Sequence, residues 1–187
     1  MHYLDLGVLS ASLESKALSL GYSTVVTPQK VAVETQADLK KLPSKGIAIV
    51  SSKSGEILKK LSSRDSGAVL LLDAFSSLNF FKDDGMIRSV ALESSSGKKV
   101  AFAIPYAYLL RSSFVYRARF VAQSKLFLAK CLKRGAPFVM VSGAENEFEL
   151  KSPREALALA QLLGLSFEQA QKALSTTPQK LIGETQK

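Results

Sequence analysis

The side chains able to do covalent or metal chemistry are few, and their types exclude much. Asp5 and Asp73 each fall at a predicted strand, where β/α barrels deliver functional carboxylates, so a site built from carboxylates alone passes this first test. The single imidazole is His2. A Ser-His-Asp or Cys-His arrangement would have to use it, and a zinc site built on several histidines is excluded. Next to the start methionine, His2 reads as a strand-edge residue. Cys131 is the single cysteine, so no internal disulfide forms, and its place among Leu128, Ala129 and Leu132 reads as a buried, inert thiol. Glu145, Glu147 and Glu149 alternate after the last predicted strand and read as a solvated loop. Neither a Gly-x-Gly-x-x-Gly motif nor a P-loop occurs, and Ser142-Gly143-Ala144 reads as a plain turn.

The chemistry the chain is equipped for is electrostatic. Between Gly97 and Gly135 stand nine basic residues (Lys98, Lys99, Arg111, Arg117, Arg119, Lys125, Lys130, Lys133 and Arg134) and no acidic one. The remaining Lys and Arg balance the Asp and Glu, so this segment accounts for the formal net charge of +9. A field so concentrated attracts a polyanion, and counterion release from a phosphate backbone needs no base contact.

These residues must be held by a folded frame. At 187 residues with 47% hydrophobic composition the chain is expected to form one domain, residues 1–187, with an aliphatic core. The longest apolar runs, 68–72 and 100–104, fall far short of the ~20 residues that span a bilayer. The N-terminus lacks the pattern of a secretory signal, so a cytoplasmic protein with no membrane partner is expected. Short β-branched runs alternate with helical patterns. Strands are predicted over 3–8, 23–27, 31–34, 46–51, 68–73, 86–92, 100–104 and 138–142; helices are predicted over 10–20, 37–42, 54–61 and 112–134, from Pro153 and Phe167, and after Thr177. Ser152 with Glu155, and Ser166 with Gln169, have the spacing of capping boxes, and Gly164 that of a C-cap. This rhythm predicts a parallel sheet closed as a TIM-like β/α barrel. Such barrels usually need ~250 residues, so this one is expected to be trimmed or irregular.

At 3.6 residues per turn, Arg119, Gln123, Lys130, Lys133 and Arg134 share a sector about 100° wide on the predicted helix over 112–134. Phe114, Val121, Leu128 and Leu132 share another, which is expected to be the buried face. Arg117 and Lys125 project close to the apolar sector, and Arg117 suits a specific anion or partner contact because guanidinium grips phosphate with two donors.

Several segments carry a family resemblance: Val100-Ala101-Phe102, Leu109-Leu110-Arg111, 117–130, Pro137 through Ser142-Gly143-Ala144, Leu150-Lys151-Ser152-Pro153-Arg154, and Leu162-Leu163-Gly164-Leu165 through Glu168-Gln169-Ala170 to Pro178. In these the sequence resembles the ribonuclease P protein component 3 family, archaeal counterparts of the thirty-kilodalton subunit of eukaryotic nuclear ribonuclease P. The resemblance implies a barrel related to the polymerase and histidinol phosphatase phosphoesterases without their metal-binding histidines. It further implies a noncatalytic subunit of an endoribonuclease holoenzyme, whose RNA subunit, with magnesium, removes the 5′ leader of precursor tRNA. The implied partners are ribonuclease P RNA, protein component 2, other protein subunits and, through the holoenzyme, precursor tRNA. Arg117, Lys125 and Arg154 are then the leading RNA contacts, followed by Lys151, Arg119 and Arg111, with Lys130, Lys133 and Arg134 on the basic ridge. Ala103 stands where relatives often carry a glutamate. The alternative expectation is a metal-dependent phosphoesterase using Asp5 and Asp73.

Overall fold

The computed structural model describes residues 2–64, 67–75 and 84–183. Seven strands are present among them: β1 (Leu4–Asp5), β2 (Thr24–Val25), β3 (Gln29–Ala32), β4 (Ile47–Ser51), β5 (Val69–Asp73), β6 (Val100–Pro105) and β7 (Phe138–Val141). The strands β3 to β7 form a parallel sheet in sequence order, and β1 pairs with β2 in parallel. The segment after β1 then closes onto the end of β7. Gly143 N–H donates to Gly7 O at 3.0 Å, Leu9 N–H donates to Ala144 O at 2.9 Å, and Ser142 N–H donates to the Asp5 carboxylate at 3.0 Å. Going round from β2, the order is therefore β2, β1, β7, β6, β5, β4, β3, a small TIM-like barrel wall.

The strands β5, β6 and β7 are buried along their whole length and nearly all apolar because both faces are covered, as parallel sheets require, whereas Gln29, Lys30 and Ala32 of β3 are exposed. Alternate residues go to opposite sides. Ile49, Val69, Leu71, Ala101, Ala103, Val139 and Val141 join Leu4 and Leu6 in the interior cluster. Ala48, Val50, Leu70, Leu72, Phe102, Ile104 and Met140 face outward into the helical layer. Leu181 and Ile182 fill the interior near the strand starts. They belong to α8 (Thr176–Ile182), which packs against β1 and β7. The interior is narrow where β1 meets β7: a Cβ on Gly7 would lie 2.5 Å from Val141 Cβ, so only glycine lets the two backbones approach.

The other helices are α1 (Glu14–Ser19), α2 (Gly55–Ser62), α3 (Asp84–Ser95), α4 (Ala107–Arg111), α5 (Phe114–Arg134), α6 (Pro153–Leu162) and α7 (Phe167–Leu174). Both capping boxes form, at Ser152 with Glu155 and at Ser166 with Gln169. Three expectations need correction. The segment 86–92 is helical rather than a strand: Met86, Ile87 and Val90 are buried at helical spacing, and packing onto a neighbouring helix overrides the β-branched composition. The segment 37–42 forms a short 3-10 helix, Gln36–Lys41. The long helix is preceded by a separate one, α4, because Ser112 is extended (φ −72°, ψ 142°) and breaks the run.

Candidate RNA interface

The helix α5 ends at Gly135, whose left-handed backbone (φ 67°) lets its N–H return to the last turn. Lys133 and Arg134 lie in that turn, where the helix dipole favours cations. The face it buries is rotated from the expected one. Ser124, Phe127, Leu128 and Cys131 are buried, whereas Phe114 is 83% and Leu132 42% exposed. Ser124 belongs to the core because its hydroxyl donates to Phe120 O at 2.7 Å, which satisfies the one polar group on that face. Phe127 meets Phe102 edge to face, with ring centroids 5.0 Å apart. Burial pushes the Cys131 thiol well above its ordinary pKa, leaving it a packing residue.

The nine basic residues proposed from sequence divide by what holds them. Four side chains, Arg119, Lys125, Lys133 and Arg154, have neither an ion pair nor a hydrogen bond among the described residues. Arg154 is exposed on the first turn of α6, and the Lys125 stem runs alongside Gly164 between α6 and α7. Arg117 is engaged within its own chain: Nε donates to Leu109 O and a terminal nitrogen to Ser112 O, both at 3.0 Å, closing the turn between α4 and α5. Lys151 donates to Phe148 O at 3.0 Å. Arg134 pairs with Asp84 at 2.7 Å, and Lys130 adds to the positive field that lowers the Asp84 pKa, behind the Arg134 hydrogen bond.

Arg111 belongs to a different place, the mouth of the barrel. Its Nε donates to Glu149 Oε1 at 2.6 Å, a second nitrogen donates to Glu149 Oε2, and the same nitrogen reaches Gly143 O at 2.9 Å. This two-donor grip holds the Glu149 carboxyl down at about 2. Glu149 is therefore not a solvated loop acid: it is 8% exposed and also accepts from the Glu145 N–H. Its partner lies 38 residues away, so no local pattern announces it. Glu145 pairs with Lys30 at 2.7 Å. Lys30, Arg111 and Glu145, with Asp73, Ile49 and Tyr108, line a cavity of about 220 Å³ at the strand C-termini, where barrels of this class carry their active sites.

The two candidate metal carboxylates do not assemble. Asp73 accepts from Tyr108 OH at 2.8 Å and from Phe75 N–H at 2.9 Å, and the nearby Asp73 charge, behind burial, raises the Tyr108 pKa. Asp5 is buried at the β1–β7 seam, with Oδ1 accepting from the N–H groups of Gly7 and Ser142. Burial raises its pKa despite those donors, so it favours the neutral acid. No group of three or more His, Cys, Asp or Glu placed to hold a metal occurs among the described residues. The phosphoesterase alternative is therefore not favoured.

Fold and site together define a β/α barrel whose mouth is spanned by its own ion pairs and whose helix α5 presents Arg119, Lys125 and Lys133 without acidic partners among the described residues. A family model described as RNase P subunit p30 matches residues 47–187. Ribonuclease P protein component 3 of Methanosarcina mazei is 35% identical over 103 residues, 55% of this chain and 43% of that protein. The protein of the same name from Methanothermobacter thermautotrophicus is 25% identical over 114 residues, covering 61% and 46%. The chain thus spans under half the length of these curated relatives. A chain in the cryo-EM structure of archaeal ribonuclease P with mature tRNA superposes with a TM-score of 0.67 at 19% identity, covering 98% of this chain and 79% of that one, which establishes the shared fold. The chain belongs to the RNase P subunit p30 family.

Proposed function

We propose that this protein is a noncatalytic, RNA-binding subunit of ribonuclease P, acting in the cytoplasm. It binds and stabilises the RNA subunit, which removes the 5′ leader of precursor tRNA by magnesium-dependent hydrolysis. Protein component 2 and the other protein subunits complete the particle, and precursor tRNA is met through it. The observation that carries the reading is the outer surface of α5 and its surroundings. Arg119, Lys125, Lys133 and Arg154 are free of acidic partners among the described residues, in a family of ribonuclease P subunits. Free cations displace condensed counterions from a phosphate backbone; cations already paired within the protein contribute little. Arg119, Lys125, Lys133 and Arg154 are accordingly the phosphate contacts. Arg117 and Lys151 shape the surface beside them, and Arg111 holds the barrel mouth.

The test is precursor-tRNA cleavage in magnesium by the cognate RNA and its other protein subunits, with this chain present or omitted. Cleavage that requires both the RNA and this chain supports the reading. Cleavage by the chain alone, or cleavage indifferent to it, overturns it.

A further inference from the structure

Beside Arg119 the surface of α5 opens into a shallow slot of about 150 Å³. Phe75, Tyr108 and Phe120 wall it. The Phe75 and Phe120 rings lie 4.4 Å apart between centroids, tilted by 39°, and Tyr108 meets Phe120 edge-on at 6.4 Å. Rings packed on one another in this way are in position before any ligand arrives. Tyr116 stands at the rim, 65% exposed, one helical turn before Phe120. Gln123 also lines the slot, and its amide oxygen is shielded from solvent without a hydrogen-bond partner among the described residues.

We propose that this slot receives one unpaired RNA base, an inference that rests on the RNA-binding role above and assigns it a specific contact. Its volume is below the roughly 300–1,000 Å³ of sites that enclose a drug-sized ligand, and suits a flat ring whose sugar and phosphate stay outside. Aromatic walls stack on any base. Arg119 at the edge meets the phosphate that accompanies the base. With a rotation of its amide, Gln123 accepts from an exocyclic amino group, giving the shielded oxygen the donor it lacks. An aliphatic protein side chain would fill the walls but leave Gln123 and Arg119 without partners. A base with its phosphate gives both of them partners.

The experiment compares binding of the full chain to a mixed-sequence single-stranded RNA and to a strand of equal length made abasic, by fluorescence anisotropy at one salt concentration. The wild type is expected to bind the base-bearing strand about tenfold more tightly. Tyr116→Ala should erase most of that difference while leaving the salt dependence unchanged, and Tyr116→Phe should keep it. Equal, salt-sensitive binding of both strands overturns the slot and leaves the phosphate contacts standing. Full discrimination by a folded Tyr116→Ala variant also overturns it. Binding of neither strand overturns the slot together with the RNA-binding reading.

Discussion

Asp5 is buried at the seam with no cation facing it among the described residues, and this has a consequence for pH. Its folded-state pKa is raised above the ordinary 3.8, so folding favours the protonated acid. Stability from this group is complete below the unfolded pKa and is lost as pH climbs through the folded one. Asp5→Asn keeps an acceptor for Gly7 and Ser142 and should remove that loss, flattening urea-derived stability as pH rises from about 4. An unchanged slope would show that Asp5 ionises as freely in the folded protein as in the unfolded one. Glu149 has the opposite sign. Its pKa, lowered to about 2 by Arg111, contributes stability above its ordinary 4.5 that is lost as pH falls toward 2. Glu149→Gln leaves the Arg111 fork half-satisfied and should cost about 1–3 kcal/mol near neutrality, read as a lower urea midpoint with unchanged m-value. Neither residue's role was legible in the sequence. Asp5 could be singled out by type and Glu149 by position, but their environments are set by residues 137 and 38 positions away.

Elements were more legible than residues, to the extent that their signals are local. The apolar runs 68–72 and 100–104 mark the strands Val69–Asp73 and Val100–Pro105, and the caps of α6 and α7 are written in four residues each. The helix α3 was hidden because β-branched Ile87 and Val90 mimic a strand, and its burial against other helices is not a local property. The rotated face of α5 was hidden by Ser124, a polar residue that becomes core through its own backbone bond. Aromatic exposure misled in the other direction, since Phe114 points outward. The approach of β1 to β7 offers an element-scale test. Gly7→Ala forces a methyl group against Val141 and should destabilise the fold by about 1–3 kcal/mol, measured by thermal or chemical denaturation. A neutral Gly7→Ala would mean the two segments separate at little cost.

For the whole molecule, the sequence located the charge but not which cations are free to use it. The nine basic residues between Gly97 and Gly135 overstate the working surface, because Arg111 and Arg134 are neutralised by Glu149 and Asp84. On the proposed RNA-binding role, Arg119, Lys125, Lys133 and Arg154, without acidic partners among the described residues, are expected to set the salt dependence of RNA binding. The slope of log K against log salt is expected near about −3, measured by anisotropy across a salt series. Removing one free cation, as in Lys133→Ala, should make it shallower by roughly one, while Arg111→Ala should leave it unchanged. An equal change from both variants would mean that the ion pair at the mouth opens to meet RNA.

The same seam that buries Asp5 also sets an order of assembly. Its hydrogen bond to Ser142 joins segments 137 residues apart, so a growing chain carries β1 and β2 without their neighbour until β7 has been made. Contacts of such separation are formed late and slowly. Until then two short strands hold an open edge, a place where a nascent chain is exposed to mispairing. The stretch from β3 to β6 can pair strand by strand as it emerges, so the last step of folding is the return of the first strands to the final one.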